Sequence, residues 1–565
     1  MRALCGVAFT ASVAACAGTA PDPESPSEPA GDVGARFEAE AREFLRASLE
    51  FAPHRAVTLG YEDYAGALPD PSEEAASAEV ERLTVAVDRF AVYDEYELSP
   101  RNRAERAAIV AAARRGLLDL ELLHAPERDP SYHLRALDLS TYANVPYAPV
   151  AARAEAAVQI CAGAGAYLEA AKARISDEAP RPRIDAARAT ARQMIAYLEG
   201  EVAGALAGEG EDLASGLGRC VDALEDYATF LDERREAAPA DAPLLHREGL
   251  ASIFAAEGLA ELIDAHREAA KAAIARDREL LERAAAEIDP ELSLAEVIEF
   301  ERMNVPAPDE LFTVVRHQLD EMRALVSDRG AMPPPSEIGV EVREAPPHLR
   351  DRHASLRAPG AGESRDVPAI LYLTRPDPSW SETEAQDFAQ SIGDLLATSI
   401  REGWPGRLHH ALAASTGSEV LSAFCPEATR GGWAHYAEGA LWEVGLADGD
   451  PRVHAALLIS AIVRNLRVLT VIDVHTGEMT VGEAAARFER EALVEPIVAR
   501  IEAARAAYDP AYATHALGRL DIETLRAEWE ERAGEGASPR DFHDAFFTQG
   551  CAPLNTIRAE LLDRR

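Results

Sequence analysis

Residues 399–410, SIREGWPGRLHH, and residues 431–438, GGWAHYAE, are the two stretches around which the helices of this chain are organised. Ahead of the first stretch, apolar side chains recur at helical spacing, at Phe388, Ile392, Leu395, Leu396 and Ile400. Such a stripe predicts an amphipathic helix, and it begins at Ser381, where the pattern Ser-x-x-Glu is typical of a capping box. The helix is expected to run to Glu402 and to break at Pro405, because proline lacks the backbone N–H that a helix interior needs.

The composition of the whole chain favours helices. Of its 565 residues, 47% are apolar but only 6% are aromatic, so the apolar content is mostly aliphatic and suits helices better than a β-sandwich. Two short runs, 339–343 and 369–374, predict strands within a segment rich in proline and glycine. The sequence therefore predicts a mainly α fold, a single large helical domain over 35–565, made of a helical wall at 35–328, a small β element at 329–379 and a second helical half at 380–565.

The charge balance excludes one class of partner. The chain carries 57 basic and 97 acidic residues, which give a formal net charge of −40. Nucleic-acid phosphates attract basic patches, and no cluster of arginines stands apart from aspartate and glutamate in this sequence. We therefore expect no nucleic-acid partner.

The N-terminus predicts export and a membrane anchor. Leu4–Ala15 is an apolar run of the length of a signal-peptide core, too short to span a bilayer, and small residues stand directly before Cys16. This resembles the bacterial lipobox, whose cysteine is lipidated, and Ala17 after it implies the outer membrane, facing the periplasm. Residues 1–15 are thus predicted to be a lipoprotein signal peptide and residues 16–34 a disordered tether. The alternative is an ordinary secretory signal that is cleaved elsewhere.

Four further cysteines lie in the predicted folded part, namely Cys161, Cys220, Cys425 and Cys551. An exported protein could pair them as two disulfides in three possible connectivities, or could keep them as small buried side chains. No Cys-x-x-Cys pair indicates metal or redox chemistry. The sequence leaves this choice open.

The two central stretches are similar to a bacterial family named domain of unknown function 885. Members carry His-Glu-x-x-Pro-Gly-His, followed further along the chain by Glu-Gly-Trp-Ala-x-Tyr-Ala-Glu. The resemblance implies zinc held by two imidazoles and a carboxylate, with the glutamate of the first motif as general base. It also implies a helical groove similar to that of gluzincin metallopeptidases. Segments such as Leu373–Trp380, His475–Thr480 and Phe542–Asp544 match as well, so the resemblance covers residues 35–565.

The chain departs from the family pattern at each expected metal ligand. Arg401 and Arg407 stand where the family has its histidines, and Gly431 stands where it has the ligand carboxylate. Glu402 keeps the general-base position and is the one catalytic candidate that is retained. Arginine is always charged and only donates hydrogen bonds, so it cannot bind zinc. We therefore expect no metal and no cofactor at this position, with Glu402 paired to one of the two arginines.

The resemblance also indicates which side chains would line the groove, namely Arg401, Arg407, Trp433, His435, Tyr436, Glu438, Arg464 and His475. Three functions stay open. The favoured one is an inactive homologue, anchored to the membrane through Cys16, whose groove binds a peptide or an envelope partner. The second is an active zinc-dependent peptidase or hydrolase with relocated ligands such as His409, His435 and Glu438. The third is a purely structural envelope lipoprotein without an open groove.

Overall fold

The computed structural model describes residues 33–563 except 208–210, 241–243, 261, 351, 364–366, 378–379, 416 and 535. The predicted signal peptide, the lipidation site Cys16 and nearly all of the predicted tether lie outside the described residues. Helices account for 73% of the structure, which confirms the mainly α fold. The boundaries predicted between the helical wall, the β element and the second half stay a prediction.

The first part of the chain is a succession of helices. They are α1 Val33–Phe51, α2 Pro53–Thr58, α3 Glu73–Ala91, α4 Pro100–Leu117, α5 Ala125–Arg128, α6 Ser131–Leu134, α7 Ser140–Asn144, α8 Val150–Arg174, α9 Arg181–Tyr197, α10 Ala203–Ala205, α11 Glu211–Arg235, α12 His246–Ala256, α13 Ile263–Ile288, α14 Leu294–Arg302 and α15 Leu311–Arg329. Short 3-10 or π-helical turns extend or connect several of them, as at Leu118–Leu122 after α4 and Leu198–Val202 after α9.

The second part is again helical. Its helices are α16 Glu382–Phe388, α17 Ile392–Glu402, α18 Arg407–Ser415, α19 Glu419–Ala423, α20 Glu427–Glu443, α21 Pro451–His475, α22 Val481–Ala492, α23 Pro496–Tyr508, α24 Thr514–Ala533, α25 Pro539–Thr548 and α26 Leu554–Arg558. The two motif stretches lie on α17, α18 and α20.

A three-stranded sheet separates the two helical parts. Its strands are β1 Val340–Glu344, β2 Ala354–Arg357 and β3 Ala369–Leu373, in the order β1-β3-β2. β3 pairs with β1 in parallel and with β2 in antiparallel orientation. The two predicted strands are present, but the sequence pattern missed β2, which is only four residues long and follows a segment rich in proline. β2 lies at an edge of the sheet.

Two helices that the pattern predicts as continuous are each divided. The predicted helix that begins after Ser381 is α16 and α17, because Ser391 starts a second capping box with Asp394 as its partner. Residues 248–288 are rich in alanine, arginine and glutamate, a composition that predicts one long helix, and the structure has α12 and α13 there. Between them Gly258 has φ +80°, which glycine adopts without strain.

Helix α21 is the centre of the molecule. It packs along α13 and α17, and most of its side chains are buried. Among the described residues it is the one helix long and apolar enough to cross a membrane, and 78% of the relevant window is buried inside the protein. Burial on all sides explains an apolar composition equally well. We therefore interpret α21 as a core helix.

Two main hydrophobic cores organise the described residues. The larger core joins α1, α3, α4 and α12–α15 to the C-terminal helices. The smaller one is built mostly from residues 134–238 and reaches the sheet through Ile370 and Tyr372. The predicted helical wall 35–328 is thus shared between two cores, because its middle helices pack on each other and its outer helices pack on the second half.

The structure pairs the four cysteines as two disulfides, Cys161–Cys220 and Cys425–Cys551. The first joins α8 to α11 inside the smaller core. The second joins the segment just before α20 to the segment before α26. This selects one of the three connectivities that the sequence leaves open.

Candidate functional site

A cavity of about 540 Å³ lies beside the first motif stretch. It is bounded by α13, α14, α16, α17, α18, α20, α21, α23, α24 and the edge strand β2. Its lining combines apolar residues with an unusual number of arginines, namely Arg302, Arg352, Arg401, Arg407, Arg452, Arg464, Arg467 and Arg505. The side chain of Arg452, at one side of the cavity, is 55% exposed, so the cavity reaches solvent there.

Glu402 lies on the wall of this cavity, at the end of α17. Its carboxylate is buried and stands 3.3 Å from the Arg401 guanidinium and 3.6 Å from that of Arg407. Burial raises the pKa of Glu402, but Arg407 and Arg401 more than offset this and hold its pKa below the ordinary value. The expected pairing is therefore present, and both arginines take part in it.

A second carboxylate, Glu438 on α20, lies behind the cavity wall. It accepts two hydrogen bonds from Arg464, of 2.5 and 2.9 Å, and one from Arg401 at 3.3 Å. All three side chains are largely buried. Burial lowers the pKa of Arg464 to about 10, so it remains a cation at neutral pH. Arg401 thus bridges Glu402 and Glu438. Each of these carboxylates also pairs with a second arginine, Glu402 with Arg407 and Glu438 with Arg464.

Two imidazoles stand among these charges. His435 on α20 is 3% exposed and lines the cavity, and neither of its ring nitrogens has a hydrogen-bond partner among the residues that the structure describes. The ring of His515 on α24 lies 5.9 Å from it, and its Nε2 is 3.1 Å from Glu427. Burial, followed by Arg464 for His435 and by Arg407 for His515, holds the pKa of each well below its ordinary value. Both rings are therefore neutral.

His515 fills the space beside Gly431. A Cβ atom at Gly431 would lie 2.3 Å from the His515 ring, closer than atoms can approach. The neighbouring Gly432 and Gly518 let α20 and α24 pack backbone to backbone, since a Cβ at Gly518 would lie 1.9 Å from a main-chain oxygen of Ala428. Any side chain at position 431 would have to displace the imidazole.

The other sequence-predicted residues lie elsewhere. Trp433 donates to the Pro405 carbonyl at 2.9 Å, Tyr436 bonds His543 at 2.8 Å, and His475 bonds the Ala506 carbonyl at 3.2 Å. None of these lines the cavity. Trp433, Tyr436 and His475 therefore support the core, whereas Arg401, Arg407, His435 and Arg464 line the cavity together with Glu402.

The relocated metal site is not assembled either. His409 lies against the rings of Trp404 and Phe547 and does not line the cavity. Glu438 is held by arginines. In the part of the chain that the structure describes, no three His, Cys, Asp or Glu side chains are grouped to hold a metal ion. Because arginine cannot ligate a metal, Arg401 and Arg407, at the positions where the sequence resemblance implies ligands, do not fit zinc.

Several cavity residues are not predicted by any pattern in the sequence. His515 is the clearest case, and Arg467, Arg505 and Glu502 line the cavity too. Arg467 makes a two-pronged ion pair with Glu502, at 2.8 and 2.7 Å. These residues lie on helices far along the chain from the motifs, and no spacing in the sequence marks them.

A second cavity, of about 400 Å³, adjoins the first. Arg407, Ser355 and Leu356 line both cavities. The wall between the two spaces is therefore formed in part by Arg407 and by the edge strand β2.

Comparisons with known proteins agree with this architecture. The family model described as "Bacterial protein of unknown function (DUF885)" matches residues 53–561. The structure of a proposed lipoprotein of unknown function from Shewanella oneidensis is similar over 93% of this chain and 100% of that one, with a TM-score of 0.74 and 17% identity. A proposed lipoprotein from Colwellia psychrerythraea is similar over 93% and 97%, with a TM-score of 0.70 and 14% identity. A search of curated proteins finds no match. At these identities the structural likeness shows the fold.

Proposed function

Because the chain belongs to the bacterial DUF885 family, whose model matches most of its length, we propose that it is a lipid-anchored envelope protein that binds a peptide in its cavity without metal-dependent hydrolysis. The proposal has three parts, which are the loss of the zinc site, the binding of an extended peptide and the anchor at Cys16.

The observation that carries the first part is the environment of Glu402. A general base must accept a proton from a water molecule, and the basicity of its carboxylate sets how well it does so. Two guanidiniums within 3.6 Å hold the pKa of Glu402 down, and arginines occupy the positions where the family resemblance implies histidine ligands. This arrangement favours a structural ion pair over a base that activates water.

The peptide part is supported by the edge strand β2. The Thr374 N–H donates to the His353 carbonyl at 2.9 Å, which makes these two residues a hydrogen-bonded antiparallel pair. Because such pairs alternate along a ladder, the N–H and C=O groups of Ala354 and Leu356 point away from β3. Both residues line the cavity. An extended peptide could therefore add to the sheet by main-chain hydrogen bonds.

Metal analysis and peptide binding test the two parts separately. We expect the purified full chain, incubated with zinc and then desalted, to hold only substoichiometric metal by mass spectrometry. Stoichiometric zinc that disappears in His435→Ala would instead support the hydrolase with relocated ligands.

For the peptide, we expect Ac-Ala-Ala-Leu to bind, and Ala354→Pro to weaken binding about fivefold, since one main-chain hydrogen bond contributes about 1 kcal/mol. Proline is tolerated at an edge strand whose N–H points outward, so the melting temperature should stay unchanged. Equal affinity in the variant and the parent would contradict binding along β2.

The anchor is supported by the sequence before Cys16, by two disulfides of the kind found in oxidising compartments, and by relatives described as proposed lipoproteins. We expect Cys16→Ala to move the protein from the outer-membrane fraction to the soluble periplasmic fraction. Unchanged membrane association would refute lipidation at this residue. A purely structural role without a groove is less well supported, because a cavity is present beside Glu402.

A further inference from the structure

The inner end of the 540 Å³ cavity carries an unmatched positive charge. Three guanidiniums, those of Arg401, Arg407 and Arg464, meet two carboxylates, Glu402 and Glu438. Two further arginines of the lining are each paired with one carboxylate, Arg467 with Glu502 and Arg505 with Asp509. With His435 and His515 neutral, the inner end keeps a surplus of one positive charge. This is opposite in sign to the chain as a whole, whose net charge is −40.

Arg407 is the residue that carries this surplus. Its Nε lies 3.6 Å from Oε2 of Glu402, beyond hydrogen-bond distance, and this buried Nε has no hydrogen-bond partner in the part of the chain that the structure describes. The two other guanidiniums of the network are bonded, since Arg464 makes a two-pronged pair and Arg401 bonds Glu402, Glu438 and Thr398. Oε2 of Glu402, which faces Arg407, likewise lacks a hydrogen-bond partner among the described residues. The Arg407 side chain is 22% exposed, so the Nε is its buried donor, and a buried donor without an acceptor is costly unless a ligand supplies one.

His435 adds a second unsatisfied group in the same cavity. It is 3% exposed, and both ring nitrogens lack a partner among the described residues. A neutral imidazole has one donor and one acceptor, so it can donate to an anion without adding charge. Two independent features, an under-bonded arginine and an unpartnered buried imidazole, thus face one space.

The rest of the lining decides what kind of anion fits. Apolar side chains form much of the cavity wall, among them Leu294, Val297, Ile298, Val453, Val494 and Val498. A single surplus charge matches a monoanion better than the dianion of a phosphate. Carboxylates are also the group that a guanidinium binds in a two-pronged manner.

We propose that the inner end of the cavity is a carboxylate-binding subsite, in which Arg407 with Arg401, Arg464 and His435 holds the C-terminal carboxylate of an apolar peptide. This inference rests on the proposed peptide binding and gives it a direction, with the peptide's C-terminus at the arginines and its preceding residues along β2. The protein would then recognise free C-termini, such as those that proteolysis of envelope proteins releases.

Calorimetry on the purified full chain tests the subsite with three probes, which are Ac-Ala-Ala-Leu with a free carboxylate, the same peptide as its C-terminal amide, and hexanoate. We expect the free acid to bind at least about tenfold more tightly than the amide, as charge-assisted bonds are roughly twice as strong as neutral ones. Arg407→Gln should abolish this ratio. Arg407→Lys keeps the charge but lacks the paired N–H donors of a guanidinium, so it should restore part of the ratio between acid and amide affinity.

Arg500→Gln is the matched control. Like Arg407→Gln, this variant removes one positive charge, here from α23. The Arg500 side chain is 58% exposed and does not line the cavity, so the ratio should stay unchanged. Melting curves of each variant report whether the fold is intact.

The outcomes separate the subsite from the peptide hypothesis. Equal binding of acid and amide, or a ratio that survives Arg407→Gln, overturns the subsite and leaves peptide binding standing. If hexanoate binds in a manner that depends on Arg407 but no peptide binds, the carboxylate subsite stands, and the proposal that a peptide supplies the carboxylate is overturned. If none of the three probes binds, both proposals fail.

Discussion

Replacing Glu438 by glutamine should destabilise the protein more than any other single charge removal near the cavity. The carboxylate is 3% exposed and is the acceptor for three hydrogen bonds from Arg464 and Arg401. Removing one partner of a buried ion pair costs about 3–5 kcal/mol, because the remaining charge stays buried without compensation. Arg464 would keep Ser460 at 2.6 Å and Arg401 would keep Glu402, so we expect the lower end, about 3 kcal/mol.

Urea unfolding followed by tryptophan fluorescence is the appropriate assay. Trp404 and Trp433 are fully buried in the same half of the molecule and report on its unfolding. Glu530→Gln is the matched control, since Glu530 pairs with Arg526 at 2.7 Å but is 40% exposed. Pairs that exposed contribute at most about 1 kcal/mol.

The double variant Glu438→Gln with Arg464→Met distinguishes the cause. If the cost comes from a stranded buried arginine, an apolar side chain of similar length should recover most of it. Additive losses in the double variant, or a loss below about 1 kcal/mol in Glu438→Gln, would refute the argument that these charges depend on one another.

Three further expectations concern stability, and each is measured by thermal or urea unfolding. Gly431→Ala should cost about 1–3 kcal/mol by overpacking against the imidazole, and His515→Ala in the same chain should recover most of this; equal costs with and without the imidazole would contradict the steric argument. Replacing Cys161 and Cys220 by alanine should cost about 4 kcal/mol, since the disulfide closes a loop of 59 residues in sequence separation; an unchanged midpoint would contradict this. Burial lowers the pKa of His410 to about 4, below the value of about 6.5 in the unfolded chain. The free energy of unfolding is therefore unaffected by this residue above pH 6.5 and falls as the pH drops from 6.5 towards 4, by about 2 kcal/mol at pH 5, because the unfolded chain binds the proton more readily. His410→Gln should reduce the loss of stability between pH 7 and 5, and an identical pH profile in the variant would refute this.

Local patterns in the sequence predict the ion pair at the centre of the site. Arg401 and Glu402 are adjacent at the end of α17, and Arg407 begins α18 only five residues after Glu402, so the short separation along the chain keeps the three side chains close. The requirement that a buried carboxylate be paired then predicts the contacts that the structure has. The helical character of the chain is predictable for the same reason, because it depends on the spacing of neighbouring residues.

Contacts between distant segments are what the sequence does not reveal. His515 lies 84 positions after Gly431, and nothing in its surroundings indicates that it fills the space beside that glycine. The short strand β2 escapes because four residues give too little alternation to recognise. The break between α16 and α17 was within reach, since Ser391 and Asp394 have the spacing of a capping box.

The contact between Gly431 and His515 has a consequence for the history of the site, if the proposed loss of zinc is correct. A carboxylate side chain reintroduced at position 431 would collide with the imidazole, and a histidine at position 401 would strip Glu438 and Glu402 of a shared cation. Each single step back towards a metal site therefore lowers stability before any metal can bind. Because each single reversion is unfavourable, selection for stability would keep this site free of metal even if zinc were abundant.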